Sequence, residues 1–353
     1  MSRRPIRRRA TRSQRPAISS ESRANSDPAR DCPAPISVIK HISKILFLQT
    51  RSAQVTGQNT DSPKGFVFAT TAYVLWGFLP IYMKAMAHLS PLEVLAHRVL
   101  WSVPVAAIVL FALGRTSDLM AALRSPRTLA MGAVTAALIS VNWGVYIWSI
   151  VSGQALEAAL GYYINPLFSV FLGAVLLGEK LSLVKGVAIF LALLAVIVLT
   201  VDAGTVPVVA LALMLSWGLY AYFKKSLPVG PNQGFLLEVL ILTPPALGFV
   251  TYLVLRGEGH FAIGNPVDSW LLLGCGVVTA VPLMIYANGA KLLRLSTIGM
   301  LQYIAPTMIF LIAVFVFDEP FGQARMIAFP LIWLALGLYS FALWRDAHPV
   351  RRV

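Results

Sequence analysis

From Gly65 to Trp344 the chain is a succession of apolar stretches of helical-span length, separated by short polar or charged links. An α-helix rises 1.5 Å per residue, so roughly 20 apolar residues cross the ~30 Å hydrocarbon core of a bilayer. The pattern predicts ten spans, at 66–86, 92–113, 128–150, 155–177, 183–201, 206–223, 235–255, 268–290, 296–317 and 324–344. The expected fold class is an all-α polytopic membrane protein, with no large soluble domain left over.

The apolar pattern also repeats. Gly161-Tyr162-Tyr163-Ile164-Asn165-Pro166 opens a run ending at Glu179, and Leu301-Gln302-Tyr303-Ile304-Ala305-Pro306 opens one ending at Glu319. Tyr163 and Tyr303, Pro166 and Pro306, and Glu179 and Glu319 are each 140 positions apart; Trp76-Gly77 and Lys84 recur as Trp217-Gly218 and Lys225 at an offset of 141. The chain divides into repeats at 65–203 and 204–345, flanked by tails at 1–64 and 346–353. Five spans per repeat is an odd number, so the second copy crosses in the opposite sense. Inverted pairs of this kind are the usual basis of alternating access in transporters.

Composition agrees, with 57% hydrophobic and 12% charged residues, where soluble domains carry about 25% charged. A net charge of +14 looks like a nucleic-acid signal until it is divided along the chain. Residues 1–64 hold 13 Lys and Arg against 4 Asp and Glu. Rich in Arg, Ser and Pro, this segment has too little apolar surface to offset chain entropy and is expected to be a disordered basic tail. Its apolar patch from Ile36 to Leu48 is too short to span and at most lies on an anionic membrane surface. With the N-terminus inside, the inner loops hold nine Lys and Arg (Arg115, Arg124, Arg127, Lys180, Lys185, Lys224, Lys225, Lys291, Arg294). The outer loops hold three: Lys84, Arg256 and Arg325. The positive-inside rule then puts both termini in the cytoplasm. Cys32 and Cys275 suggest neither a disulfide framework nor a metal site.

Several motifs resemble the drug/metabolite transporter superfamily with paired EamA domains, and within it the RarD-type permeases. They are Trp76-Gly77, His97-Arg98-Val99-Leu100-Trp101-Ser102, Asn142-Trp143-Gly144, Leu156 to Pro166, and Leu301 to Pro306. The resemblance covers about 65–345. It implies ten helices in two inverted EamA repeats, a plasma-membrane (bacterial inner-membrane) location, and export or exchange of small metabolites or drugs.

Candidate chemistry lies in polar groups inside the spans. Arg98 stands about a third of the way into span two, where a cation costs about 2.5–3.5 kcal/mol on insertion scales. A substrate anion, a lipid phosphate reached by snorkelling, or a permanent carboxylate partner would each compensate it. His97 has a pKa range suited to proton coupling, though a lone histidine is more often a packing residue. Glu93, Glu157, Glu179, Glu238 and Glu319 are all expected in first or last helical turns, which disfavours a mid-membrane carboxylate relay. Asn142, Asn165, Asn288 and Gln302 would leave amides unpaired in lipid, so they are expected to face protein, water or substrate. With Trp76, Trp143, Tyr146, Tyr162, Tyr163, Trp217, Tyr220, Tyr286 and Tyr303 they form the candidate substrate-binding set, alongside His97 and Arg98. Packing and interfacial anchoring are the competing roles for the aromatics. Glu179 and Glu319 are candidate gates or helix-end anchors, and Pro166 and Pro306 candidate kinks.

The expected function is therefore a secondary transporter of a small organic solute, with membrane lipid around it, no cofactor, no metal, no nucleic-acid partner, and a sequence compatible with a homodimer. The rival classes are a membrane-embedded enzyme, for which no HExxH, paired-Asp or phosphate-loop motif is found, and a lipid-handling or assembly scaffold.

Overall fold

A computed structural model describes residues 61–347 apart from 113, 115, 178–181, 264 and 291. The expectations for Glu179, for residues 1–60 of the basic tail and for the last six residues lie outside these described residues. The helices are α1 Pro63–Lys84, α2 Pro91–Ala112, α3 Thr116–Leu123, α4 Pro126–Val151, α5 Ala155–Leu177, α6 Leu183–Ala203, α7 Val208–Lys224, α8 Pro231–Arg256, α9 Pro266–Ala290, α10 Leu295–Leu301, α11 Ile304–Phe315 and α12 Gln323–Ala347. Five of the long helices begin on proline, whose missing N–H costs nothing in a first turn. α6 and α8 stop at Gly204 and Gly257, with φ of 65° and 72°, the left-handed geometry that glycine supplies without a Cβ penalty.

Among the described residues nine stretches are long and apolar enough to cross a membrane. α7, with 17 residues, supplies the tenth crossing, and its rise of about 26 Å is slightly less than full hydrocarbon thickness. The chain is a ten-crossing all-α bundle. α6 has the most apolar window, at mean hydropathy 2.7. It exposes Phe190, Leu193, Ile197 and Val201 on one side, at the 3–4-residue spacing of a single helical face; lipid tails are the solvent that suits such a face.

Three details differ from the sequence expectation. Residues 61–64, expected to belong to the basic tail, are part of the bundle: α1 begins at Pro63, and the Asp61 carboxylate accepts the Arg294 backbone N–H and the Thr297 hydroxyl, each at 2.7 Å. Span nine is two helices, α10 and α11, meeting at Gln302-Tyr303. Pro306 offers no N–H to the Gln302 carbonyl; the Tyr303 N–H turns back to Met300 O at 3.3 Å, and helix resumes with Thr307 N–H to Tyr303 O. Its repeat mate Pro166 sits inside the unbroken α5. Finally, α8 starts on Pro231, four residues before the expected span, so Glu238 lies two turns inside the helix and is 1% exposed. It is not a first-turn carboxylate.

The packing makes the duplication visible in three dimensions. Three contacts join a helix to its own repeat mate: α2 with α8, α5 with α11, and α6 with α12. Many of the others occur in exchanged pairs: α1–α9 is matched by α7–α4, α1–α11 by α7–α5, and α2–α9 by α8–α4. Exchanging the halves thus maps the most extensive helix contacts onto one another, as expected of two inverted repeats about a two-fold axis. Even single packing details recur. A Cβ on Gly77 would come within 2.5 Å of the Met308 side chain, and one on the mate Gly218 within 2.5 Å of Phe168, the mate of Met308.

One joint between the halves is electrostatic. The Glu319 carboxylate, in the link before α12, accepts the backbone N–H groups of Ala155 at 2.7 Å and Leu156 at 2.9 Å. These are orphan donors at the positive end of α5. Replacing Glu319 with Ala is expected to destabilise the protein by about 1–2 kcal/mol. Unfolding of the detergent-purified protein measures this, and an unchanged midpoint would exclude the cap as a stabilising contact.

Candidate solute cavity

A cavity of about 140 Å³ lies in the middle of the bundle, walled by α1, α2, α4, α5, α7, α9 and α11 with Gln302 at the break in span nine. Its walls are built from repeat mates. Trp76 and Trp217, Tyr146 and Tyr286, Tyr162 and Gln302, and Asn165 and Ala305 all line it, so the cavity sits where the two halves meet on their exchange axis. One side carries a ring cluster of Tyr73, Trp76 and Tyr286 with centroids 5.5–5.6 Å apart. On the other, Tyr162 meets Trp217 edge-on at 6.4 Å.

Ten of the residues expected from sequence are brought together here: Trp76, Arg98, Asn142, Trp143, Tyr146, Tyr162, Asn165, Trp217, Tyr286 and Gln302. Five others lie elsewhere. His97 packs its ring on Phe261 at 5.0 Å and accepts the Trp101 indole N–H at 3.2 Å. Tyr163 donates to Thr307 at 2.9 Å, joining α5 to α11. Tyr220 donates to Glu238, and Asn288 donates to Met284 O in its own helix. Tyr303 lies at the break in span nine but not on the cavity wall. Tyr73, Leu79, Thr279, Leu283, Ala305 and Ile309 join the lining. Of these, Tyr73 and Thr279 carried a usable signal, a hydroxyl within an apolar run.

Lining the cavity is not the same as being free to bind. Asn142 spends its amide inside the protein: Nδ2 donates to Leu213 O at 3.2 Å and Ser216 Oγ at 3.0 Å, while Oδ1 accepts the Tyr162 hydroxyl at 3.1 Å. That network holds α4, α5 and α7 in register. By contrast, Arg98 Nη1, the Tyr146 hydroxyl and Asn165 Oδ1 are buried with no hydrogen-bond partner. Among the described residues, Arg98 is the sole charged one in the wall. Its Nε donates to the Thr279 hydroxyl at 2.7 Å, and its guanidinium lies 4.6 Å from the centre of the Trp143 ring. This stacking suits guanidinium rather than ammonium.

The chain is similar to an uncharacterized transporter, YojE, of Bacillus subtilis, at 41% identity over 82% of this chain and 98% of that one. Protein RarD of Streptomyces exfoliatus is 38% identical, over 81% and 91% of the two chains, and the sequence profile of the EamA-like transporter family matches residues 63–201. The chain is a RarD-type member of the EamA transporter family. A further relative, the chloramphenicol-sensitive protein RarD of Pseudomonas aeruginosa, is 31% identical over 82% of this chain and 97% of that one. A crystal structure at 20% identity superposes with a TM-score of 0.51 over 80% of this chain and 98% of that one, a likeness of fold alone. This EamA-family protein is a multi-pass membrane transporter, and its profile match falls on the first of the two repeats whose mates wall the cavity.

Proposed function

We infer that this permease is a secondary carrier moving a small organic solute across the bacterial inner membrane by alternating access, with the central cavity as its binding site. The observation that carries this reading is the position of the cavity on the exchange axis, between mates from opposite repeats. Two inverted halves that swap conformations would open such a site first to one side and then to the other. The break at Gln302-Tyr303 supports it, since interrupted helices near the midplane are a common site of substrate contact. The nine-to-three distribution of basic loop residues favours cytoplasmic termini.

Single cysteines placed in a background lacking Cys32 and Cys275 test the pathway. In liposomes, Tyr162→Cys and Gln302→Cys are expected to react with an aqueous thiol reagent. Tyr163→Cys, which replaces a side chain directed at Thr307, is expected to react far more slowly. If both cavity positions stayed unreactive in every state the protein visits, this cavity would not be the route.

A further inference from the structure

We propose that the cavity takes a small organic acid and holds its carboxylate on Arg98, a proposal that rests on the cavity being the transport site. The argument begins from how a buried cation can be balanced. Arg98 is 3% exposed and two turns inside α2, so its head does not reach the lipid phosphates. No carboxylate among the described residues lies within ion-pair distance of it. The buried acids are committed elsewhere. Glu93, on the same helix, accepts the His260 backbone N–H and pairs with its ring, both at 2.8 Å. Glu238 pairs with Lys224 at 2.6 Å, Asp268 with His88 at 2.9 Å, and Glu319 caps α5.

The repeat sharpens this. Arg98 and Glu238 are mates, 140 positions apart and each two turns into a helix that starts on proline. Glu238 faces Lys224 and Tyr220 and lies off the cavity wall, so the two-fold that duplicates the aromatic walls does not supply a balancing charge. What remains is an anion brought in from solution.

The wall is suited to such an anion. Thr279 and Trp143 hold the guanidinium by its Nε and its face, leaving the Nη edge, where Nη1 is unpaired, for a carboxylate. The unpartnered Tyr146 hydroxyl is a second donor on the same cavity, and the Asn165 amide oxygen an acceptor for a polar hydrogen of the solute. The tryptophans and tyrosines around them favour a flat or apolar body. At about 140 Å³ the space is below the roughly 300–1,000 Å³ of drug-sized pockets, so the cargo is a small acid.

Binding to the purified full-length protein in nanodiscs tests this without requiring transport. The probes are benzoate, 3-phenylpropionate and indole-3-acetate, each compared with its neutral amide, with sodium chloride as the inorganic-anion arm. At least one acid is expected to bind ten-fold or more tightly than its amide. Arg98→Gln should bring the acid down to the affinity of the amide, while Arg98→Lys, which keeps the charge, should retain part of the preference. Size-exclusion and circular-dichroism profiles identify variants that have lost the fold; if Arg98→Gln does so, the acid-to-amide ratio in the wild type and in Arg98→Lys decides. Equal binding of acid and amide, no binding of any acid, or full displacement by chloride at comparable concentration would overturn the proposal. Acid binding through Arg98 without flux in liposomes would instead overturn the carrier reading and leave the anion site standing.

Discussion

Lys224→Met is expected to destabilise the protein by about 3 kcal/mol or more, because it strands the Glu238 carboxylate in the protein interior. Glu238 is 1% exposed, while the Lys224 side chain keeps 21% exposure, and their atoms meet at 2.6 Å. The Tyr220 hydroxyl, at 3.2 Å from Glu238, cannot replace a cation. Because the lysine is partly hydrated, the loss belongs toward the lower end of the roughly 3–5 kcal/mol seen when one member of a buried pair is removed. Adding Glu238→Leu should recover most of it, since the desolvated charge then disappears with its partner. Denaturant unfolding of the two variants in detergent measures both steps. A single Lys224→Met variant as stable as wild type would mean that the pair contributes nothing to the fold. The Tyr220 ring also packs, tilted, against the cavity residue Trp217 at 5.6 Å, so the Glu238 bonds that bridge α7 and α8 also hold a ring beside the cavity wall.

Gly276→Ala is expected to be comparably damaging, by a steric route. A Cβ at Gly276 would lie 2.1 Å from the Trp101 carbonyl oxygen, a backbone atom that no rotamer change can move. α2 and α9 would have to separate, and overpacking of this kind costs typically 1–3 kcal/mol. One turn along α9 from Gly276 stands Thr279, the hydroxyl that receives Arg98 Nε at 2.7 Å. Separation of these helices therefore strains the bond that orients the guanidinium, so solute binding should fall together with the thermal midpoint. Retention of the wild-type midpoint and binding by Gly276→Ala would show that the close approach of the two helices is dispensable.

The two variants mark where sequence reasoning reached and where it stopped. Glycine at 276 is visible in the sequence, but nothing local says that a carbonyl from a helix 175 positions earlier lies against it. Glu238 is equally visible; it lies deeper than the apolar run implies because α8 begins four residues before that run, on Pro231, and hydropathy does not register a polar first turn. The ten cavity residues anticipated from sequence are polar or aromatic groups within apolar spans, and several are repeat mates. The five that lie elsewhere have the same composition. His97 differs from Arg98 by one position, and about 100° of helical rotation turns it toward Phe261 and Trp101 instead of the cavity.

Sequence alone determined the number of crossings, the helical class and the duplication. Each is a local or periodic property: a bilayer demands unbroken apolar length wherever the chain crosses, and that demand is written consecutively along the chain. Tertiary structure decided which polar groups are spent and which remain available. Asn142 is saturated by Leu213, Ser216 and Tyr162, and Glu93 by His260, whereas Arg98 keeps one buried edge unpaired. Charge and hydrogen-bond compensation depend on distances of about 3 Å between residues far apart in the chain, and only the packed bundle sets those distances.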